Sequence, residues 1–239
     1  MTSQDKASEP LHVVAAAVTD AEGRVLIAQR PPGKRQAGSW EFPGGKVEAG
    51  ETRVEALARE LHEELGITVI GQPRPLIRVR HAYPFGEVLI DMWVVTRYEG
   101  ELRGLDGQAL RWCTPDELAT VDLLPADRPI LRVLRLPERL TQISTSFYRM
   151  ENERRQKTQH GAANAAYRDD GMLRGMFCEN TAEALLVASR VDFIVLLEDL
   201  PRAKLAELCA TVPLPVFARG IGLEVAWQLG ASGANQIPI

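Results

Sequence analysis

The chain has 239 residues, which is enough for one large domain or two unequal ones. Hydrophobic residues make up 45% and charged residues 25%, which excludes a wholly disordered chain. With 28 Lys and Arg against 32 Asp and Glu, the net charge of −4 argues against binding to polymeric nucleic acid, although a single nucleotide stays open as substrate. Three widely spaced cysteines, a polar start and the lack of a long apolar run lead us to expect a cytoplasmic protein without a membrane partner.

The first half of the chain predicts a mixed α+β domain over residues 1–138. Its first two apolar runs are joined by a short turn, which predicts a β-hairpin. One helix is marked at both ends, because Thr52 and Glu55 form a capping box and Gly66 is a C-cap residue. The predicted strands are 11–19, 24–29, 75–82, 86–98 and 108–113, and two further helices are predicted from Pro115 and over 127–136.

The second half of the chain predicts a different architecture. The pattern weakens after residue 138, and residues 139–165 are the predicted linker, because they combine alternating charges with small residues of no clear period. From 166 to 239, strand-like runs alternate with helical patterns of about ten residues, which is typical of βαβ units and a parallel sheet. The sequence therefore predicts two domains, 1–138 and 166–239.

Residues 45–67 carry the motif on which the functional prediction depends. They read GKVEAGETRVEALARELHEELGI, and the fixed positions are Gly45, Glu51, Arg59, Glu60, Glu63, Glu64 and Gly66, with aliphatic Leu61 and Ile67. On a helix, one apolar stripe is formed by Val54, Leu57, Ala58, Leu61 and Leu65. The three glutamates at positions 60, 63 and 64 then lie together on a neighbouring face.

This acidic face has two interpretations. Three glutamates alone are more often a solvated surface. Like charges at this spacing cost roughly a few tenths of a kcal/mol per pair, and a divalent cation removes that cost. The neighbouring Gly44–Gly45, Glu51 and Arg59 favour the metal interpretation. Carboxylate oxygens suit Mg²⁺, with Mn²⁺ as the alternative ion.

The motif is identified as a complete Nudix box, G-x5-E-x7-R-E-U-x-E-E-x-G-U, and residues 1–136 resemble the MutT-type 8-oxo-dGTP diphosphatases. Further matching pieces are Ala28–Arg30, Glu41–Gly45, Tyr83–Pro84, Tyr98–Glu101, Asp106–Gln108, Trp112 and Leu124–Pro129. The resemblance implies a Nudix fold, in which helices sandwich a mixed sheet. It also implies Mg²⁺-dependent hydrolysis of 8-oxo-dGTP to 8-oxo-dGMP and pyrophosphate, which cleans the nucleotide pool for DNA replication and DNA repair.

The resemblance also implies a role for individual residues. The implied Mg²⁺ ligands are the carbonyl of Gly44 and the carboxylates of Glu60, Glu63, Glu64 and Asp106. The implied catalytic residues are Glu60, Glu63, Asp106 and Arg59, and the choice of the general base among the three carboxylates stays open. The implied substrate contacts are Arg30, Arg35, Glu41, Phe42, Pro43, Gly44, Tyr83 and Asp127.

Asp127 decides how the base would be recognised. Bacterial family members typically have Asn at this position, whose amide reads the O6 and N7–H edge of oxidised guanine. An ionised Asp offers only acceptors, so the same recognition needs a protonated carboxyl. The alternative is that Asp127 caps the helix that follows it, and the two roles are compatible.

Asp127 therefore keeps a second substrate class open, in which the chain hydrolyses another (deoxy)nucleoside triphosphate or a nucleoside diphosphate derivative. A third hypothesis is a non-catalytic sensor linked to thiamine metabolism. The complete set of glutamates in the motif disfavours this sensor, since such regulators usually lose some of them.

Residues 172–239 resemble the back portion of thiamine phosphate synthase and TenI-like barrels, on the stretches VDFIVLLEDL, LPVFARGIG and AWQLGASGANQI. A closed barrel needs about 200 residues, so residues 166–239 predict an incomplete, TIM-barrel-like β/α segment. We expect it to be structural or ligand-sensing. Natural proteins rarely expose strand edges, so we expect the segment to pack on the first domain or to pair with a second copy in a homodimer.

Overall fold

In the computed structural model of this chain, the described residues are 9–134, 139–140, 175–178, 182, 184, 191, 193–196, 199–212 and 214–235. The chain divides into two compact units. The first contains Met1–Pro73 and Arg78–Leu131, and the second contains Arg74–Ile77 and Arg132–Ile239. Within the described part of the chain, no helix is long and apolar enough to cross a membrane.

Residues 9–134 form an α+β fold with a mixed sheet. The strands are β1 Leu11–Val18, β2 Val25–Gln29, β3 Trp40–Glu41, β4 Gly44–Lys46, β5 Thr68–Val69, β6 Arg74–Tyr83, β7 Gly86–Val95, β8 Tyr98–Glu99 and β9 Leu110–Cys113, and the helices are α1 Arg53–Leu65, α2 Pro115–Leu118 and α3 Arg128–Val133. The main sheet has the order β4-β1-β7-β6, with β1 parallel to β7 and antiparallel to β4. A second sheet has the order β3-β2-β9, and β5 pairs with β8. The α+β prediction with a mixed sheet is confirmed.

The predicted hairpin of the first two strands is wrong in its pairing. The turn forms, with the Asp20 N–H donating to the Arg24 carbonyl, and Thr19 makes a single bridge to Val25. Beyond that bridge the strands separate into different sheets. The reason is that both edges of β1 are occupied, one by β4 and the other by β7, so β2 pairs with β3 and β9 instead.

Helix α1 begins and ends where the sequence predicts. The Thr52 hydroxyl accepts the Glu55 N–H, and the Glu55 carboxylate accepts the Thr52 N–H, which completes the capping box. Gly66 has a φ of 72° and its N–H donates to the carbonyl of His62. This left-handed conformation is one that glycine adopts without strain.

The apolar face of α1 packs on the main sheet. Its fully buried residues are Ala56, Leu57, Leu61 and Leu65, so Ala56 takes the place predicted for Ala58. They share a core with alternate residues of β1 and β7, including Val14, Ala16, Val18, Trp93 and Val95. This packing fixes the rotation of α1 and therefore the direction of its glutamates.

From residue 139 onwards, the described residues of the second unit form a parallel sheet with helices between its strands. The strands are β10 Arg139–Leu140, β11 Gly175–Cys178, β12 Phe193–Leu196, β13 Val216–Arg219 and β14 Gly233–Asn235, and the helices are α4 Arg202–Thr211 and α5 Leu223–Gln228. The sheet order is β10-β14-β13-β12-β11, and every paired strand runs parallel to its neighbour. Helix α4 connects β12 to β13, and α5 connects β13 to β14, which is the βαβ connection that parallel strands need.

The remaining predictions for this half of the chain have different outcomes. Strand β10 occupies residues 139–140, the first two positions of the predicted linker. Residues 141–165 of that linker lie outside the described residues. So do most of residues 179–189, where the first of the helical patterns of this half lies. The likeness to an incomplete TIM barrel is not tested by these short strands and stays a prediction.

Candidate active site

The site is built around the segment between β3 and β4, residues 41–45. Strand β4 is fixed against β1, where the Ala16 N–H donates to the Pro43 carbonyl over 2.9 Å. Gly44 has a φ of 151°, and a Cβ at this position would overlap the backbone of Val14. Both the close approach and the positive φ require glycine here.

Two glutamates of α1 rest on this glycine segment. The Gly44 N–H donates to the Glu64 carboxylate over 3.2 Å, and a Cβ at Gly45 would overlap the carboxylate of Glu60. Burial raises the pKa of Glu64 to about 7, with the charges of Glu41 and Glu60 adding to the effect and the Gly44 hydrogen bond opposing it. The backbone of β4 and the acidic face of α1 are therefore in direct contact.

Arg59 neutralises most of the other charge on this face. Its guanidinium donates to Glu51 over 2.8 and 3.2 Å, to Glu60 over 3.0 Å and to Glu63 over 3.2 Å, and it also donates to the Lys46 carbonyl. The hydrogen bond to Glu51 is the main reason that the pKa of Arg59 is raised. Glu63 is the outermost of these acids, with 59% of its side chain exposed.

Asp106 lies on the loop between β8 and β9, and its carboxylate is paired with a lysine. Lys34 Nζ donates to Asp106 over 3.1 Å. The loop is tied to the end of α1 by Gln108, which accepts the Asp106 N–H and donates to the Glu64 carbonyl. The structure therefore brings the Asp106 loop to the glutamate helix, with the carboxylate itself held by Lys34.

The oxygen ligands that meet at β4 fit Mg²⁺. They are the carboxylates of Glu60 and Glu64 beside the backbone of Gly44, and hard oxygen donors of this kind suit that ion. Across the residues that the structure describes, no three His, Cys, Asp or Glu side chains form a complete metal site by themselves. Mg²⁺ does not require one, because it usually keeps several waters and shares phosphate oxygens with the substrate.

A second group of predicted residues contacts the start of this segment, at Glu41 and Phe42. Arg30 forms a close ion pair with Glu41, and the buried Asp127 accepts the Phe42 N–H over 3.2 Å. The Tyr83 hydroxyl accepts the N–H of Ala126, the neighbour of Asp127. Tyr83 and Asp127 are thus joined to the segment that also carries the glycines of β4.

The environment of Asp127 favours a protonated carboxyl. Burial raises the pKa of Asp127 to about 8, assisted by the nearby charge of Glu41 and opposed by the Phe42 hydrogen bond and by Arg30. Burial also raises the pKa of Glu41, despite its ion pair with Arg30. A protonated Asp127 has both a hydrogen-bond donor and an acceptor.

Arg35 differs from the other predicted substrate contacts, because its guanidinium lies over the exposed ring of Phe85, 4.2 Å from the ring centre. Sequence reasoning missed two of the residues involved in these contacts, Lys34 and Phe85. Lys34 could have been found, since it belongs to a short loop with Arg30 and Arg35. Phe85 gives no signal, because a single aromatic residue at a turn has no periodicity.

Comparison with known proteins identifies the family of this chain. The NUDIX domain model matches residues 9–134, which is more than half of the chain, and the chain therefore belongs to the Nudix hydrolase family. It is 42% identical to the CTP pyrophosphohydrolase of Escherichia coli (strain K12) over 120 residues, 49% of this chain and 87% of that protein. It is 33% identical to the 8-oxo-dGTP diphosphatase of the same strain over 126 residues, 52% of this chain and 96% of that protein. The solution structure of the E. coli ORF135 protein is similar with 40% identity and a TM-score of 0.46, over 52% of this chain and 86% of that one.

Proposed function

We propose that this Nudix hydrolase converts 8-oxo-dGTP to 8-oxo-dGMP and pyrophosphate in the cytoplasm, with Mg²⁺ as its cofactor. Its relatives include enzymes named 8-oxo-dGTP diphosphatase and one named CTP pyrophosphohydrolase, so the choice of base rests on the pocket. The observation that supports the proposal best is that the buried carboxyl group of Asp127 accepts the Phe42 N–H.

A protonated Asp127 discriminates between guanine and its oxidised form by hydrogen bonding. The O6 and N7 atoms of guanine are both acceptors, so a carboxyl with one donor can satisfy only one of them. In 8-oxoguanine N7 carries a hydrogen, and the edge then presents one acceptor and one donor. That edge matches a carboxyl group at both positions, which favours the oxidised base.

CTP is the second candidate, because cytosine also presents one acceptor and one donor, N3 and the N4 amino group. A protonated Asp127 matches this edge as well. The relative named CTP pyrophosphohydrolase, at 42% identity, supports keeping this candidate. Because both bases match a protonated Asp127, a direct comparison of the two nucleotides decides between them.

The hydrolytic step is assigned to the residues around β4. Glu60, Glu64 and the Gly44 carbonyl would hold Mg²⁺, which supplies positive charge against the triphosphate when bound. One of Glu60, Glu63 and Asp106 accepts the proton of the attacking water, which adds to the β-phosphorus. The bond from that phosphorus to the α–β bridging oxygen breaks, and pyrophosphate leaves the nucleoside monophosphate.

A substrate panel tests this proposal, with kcat/KM measured from released pyrophosphate for 8-oxo-dGTP, dGTP, CTP and dCTP. We expect kcat/KM for 8-oxo-dGTP to exceed that for dGTP by about five- to thirteenfold, since one hydrogen bond in a buried site is worth about 1 to 1.5 kcal/mol. Highest activity with CTP would select the second candidate. Equal activity with dGTP and 8-oxo-dGTP would contradict base reading by Asp127.

For the second unit we keep the proposal of a segment related to thiamine phosphate synthase and TenI-like barrels. The parallel pairing of β11 to β14 supports it. We propose no polymeric nucleic acid or membrane as a partner, in keeping with the net charge of −4.

A further inference from the structure

The loop between β2 and β3, residues 30–39, carries three cations that differ in their partners. Arg30 is paired with Glu41, and Lys34 is paired with Asp106. Among the described residues, no carboxylate pairs with the guanidinium of Arg35. This exposed cation lies instead over the face of Phe85.

Phe85 is held in place from its other side. It lies at the turn between β6 and β7, and its ring stacks on Tyr83 with a centroid distance of 4.8 Å and an angle of 8° between the rings. His81 contacts Tyr83 edge-on at 4.4 Å. Phe85 is itself 50% exposed, so its contact with Arg35 is open to solvent.

The contact between Arg35 and Phe85 completes a closed series of contacts, the circuit. The circuit also includes four of the predicted substrate contacts, Glu41, Phe42, Tyr83 and Asp127. On one side of the circuit, the Arg35 carbonyl accepts a hydrogen bond from Arg30 Nε over 2.7 Å, and Arg30 forms an ion pair with Glu41. On the other side, Phe85 stacks on Tyr83.

Hydrogen bonds form the rest of the circuit. The Ala126 N–H donates to the Tyr83 hydroxyl. The carboxylate of the next residue, Asp127, accepts the N–H of Phe42, which is the neighbour of Glu41 in the chain. The Arg35–Phe85 link is a solvent-exposed cation–π contact, worth only about 0.5 to 1 kcal/mol, so a ligand that binds the guanidinium more strongly can displace it.

A nucleoside triphosphate competes with Phe85 for this guanidinium. Its phosphates carry several negative charges, and Arg binds phosphate oxygens through two parallel hydrogen bonds. The neighbouring Lys34 donates to Asp106 over 3.1 Å, and Gln108 ties the Asp106 loop to the Glu64 carbonyl. The loop that carries Arg35 therefore lies beside the acidic residues where we place the phosphates. The guanidinium of Arg35 is thus weakly held on a loop that borders the expected polyphosphate position.

We propose that Phe85 is an affinity-determining residue, which holds Arg35 in the free enzyme and releases it to the polyphosphate of the substrate. The proposal rests on the proposed function only in that the substrate carries a polyphosphate. It does not depend on which base Asp127 reads. In the structure, Phe85 contacts Arg35 and Tyr83.

The proposal makes a prediction with an unusual sign. Removing the ring by Phe85→Leu should improve polyphosphate binding by about two- to fivefold, because Arg35 no longer has to leave its cation–π contact. We would measure the Kd of inorganic tripolyphosphate by titration calorimetry in the presence of Mg²⁺, and the KM of the best nucleotide of the panel. Both constants should fall together while kcat stays unchanged.

Arg35→Met and the double variant identify the residue through which Phe85 acts. Arg35→Met should raise both constants, and Phe85→Leu should have no further effect in the Arg35→Met background. Leu11→Ala changes another exposed apolar residue of the first unit, at 42% exposure, and serves as the matched control with unchanged constants.

Two results would overturn the proposal. A higher KM for the nucleotide with an unchanged Kd for tripolyphosphate would mean that Phe85 stacks on the base. A Kd that does not change in Phe85→Leu, or that changes equally without Arg35, would mean that the contact does not control binding. Tripolyphosphate binding needs no turnover, so a failure of the proposed hydrolysis would be distinguishable from a failure of this inference.

Discussion

Two buried aspartates of the first unit have opposite protonation tendencies. Burial acts on Asp91 as well, but the hydrogen bond and charge of Arg78, together with Arg53 and His12, outweigh it and lower the pKa of Asp91. Its contacts to these three residues measure 2.8, 3.1 and 2.5 Å. Asp127 has a backbone N–H as its hydrogen-bond partner, and its pKa is raised to about 8. The residue type is the same, and the surrounding charges decide which carboxyl keeps its proton.

The raised pKa of Asp127 predicts a pH-dependent stability. The folded protein keeps this proton up to about pH 8, whereas the unfolded chain releases it near its ordinary pKa of about 3.9. The free energy of unfolding therefore falls as the pH rises between these values, by up to about 1.4 kcal/mol per pH unit for one proton. Asp127→Asn should reduce this slope in urea unfolding measured across the range.

Asp91→Asn is the matched control for that experiment. The pKa of Asp91 is lowered, so its contribution to stability is present above the ordinary pKa and is lost as the pH falls. This variant should destabilise the protein at neutral pH but leave the slope between about pH 5 and 8 unchanged. An unchanged slope in Asp127→Asn would show that Asp127 is already ionised in the folded protein.

Base selection should follow the same titration. The groups that face Asp127 are Glu41 and Arg30 from the β2–β3 side and Tyr83 from β6. As the pH rises through about 8, Asp127 loses its donor and the preference for 8-oxo-dGTP over dGTP should fall. Asp127→Asn should retain the preference, without this pH dependence, in kcat/KM measured for both nucleotides. If the ratio of kcat/KM between the two nucleotides responds neither to pH nor to the substitution, Asp127 does not read the base and acts only at the start of the helix that follows it.

Among the elements, those fixed by local chemistry could be predicted from the sequence. The two ends of α1 follow from a capping box and a C-cap glycine, which involve neighbouring residues only. The pairing of β1 could not be predicted, because it depends on β4 and β7, which come later in the chain. For the same reason the sequence did not show that Lys34 holds Asp106, since 72 residues separate them.

Substitution by alanine should have different effects at the two glycines of β4, Gly44 and Gly45. A Cβ at Gly45 meets only the flexible end of the Glu60 side chain, so Gly45→Ala should lower kcat by about tenfold or more while stability changes little. A Cβ at Gly44 meets the backbone of Val14 at a φ of 151°, so Gly44→Ala should destabilise the fold by about 1 to 3 kcal/mol. Thermal unfolding and steady-state rates measured on both variants test this. Equal losses of stability would mean that Gly45 is required for folding rather than for placing Glu60.

At the scale of the whole molecule, the sequence predicts two architectures but not the role of the second. The pattern changes near residue 138, from a half that bears the motif to a half of alternating strands and helices. The structure divides the chain into Met1–Pro73 with Arg78–Leu131 and Arg74–Ile77 with Arg132–Ile239, and the exact domain boundaries stay a prediction. What the second unit does depends on surfaces and partners, which have no local pattern in the sequence. A test must therefore remove it.

Truncation after residue 138 should leave hydrolysis largely intact, because every proposed ligand and pocket residue lies before residue 130. It should also change the oligomeric state or the solubility, because we expect the strand edges of the segment 166–239 to be covered either by the first domain or by a second copy. Steady-state rates and light scattering would measure the two effects. A truncated protein that folds and binds metal but is inactive would require a contribution of the second unit to the active site.

The central claim is that the carboxylates of α1 that rest on β4 bind the metal and carry the hydrolysis. The most direct test is the rate of pyrophosphate release by Glu64→Gln at saturating Mg²⁺, with circular dichroism as the control for folding. This substitution keeps the size of the side chain but removes a charged metal ligand and relieves repulsion with Glu60, so the fold should persist. We predict a loss in kcat of about 100-fold or more. A near wild-type kcat in this variant would contradict the assignment of the cluster.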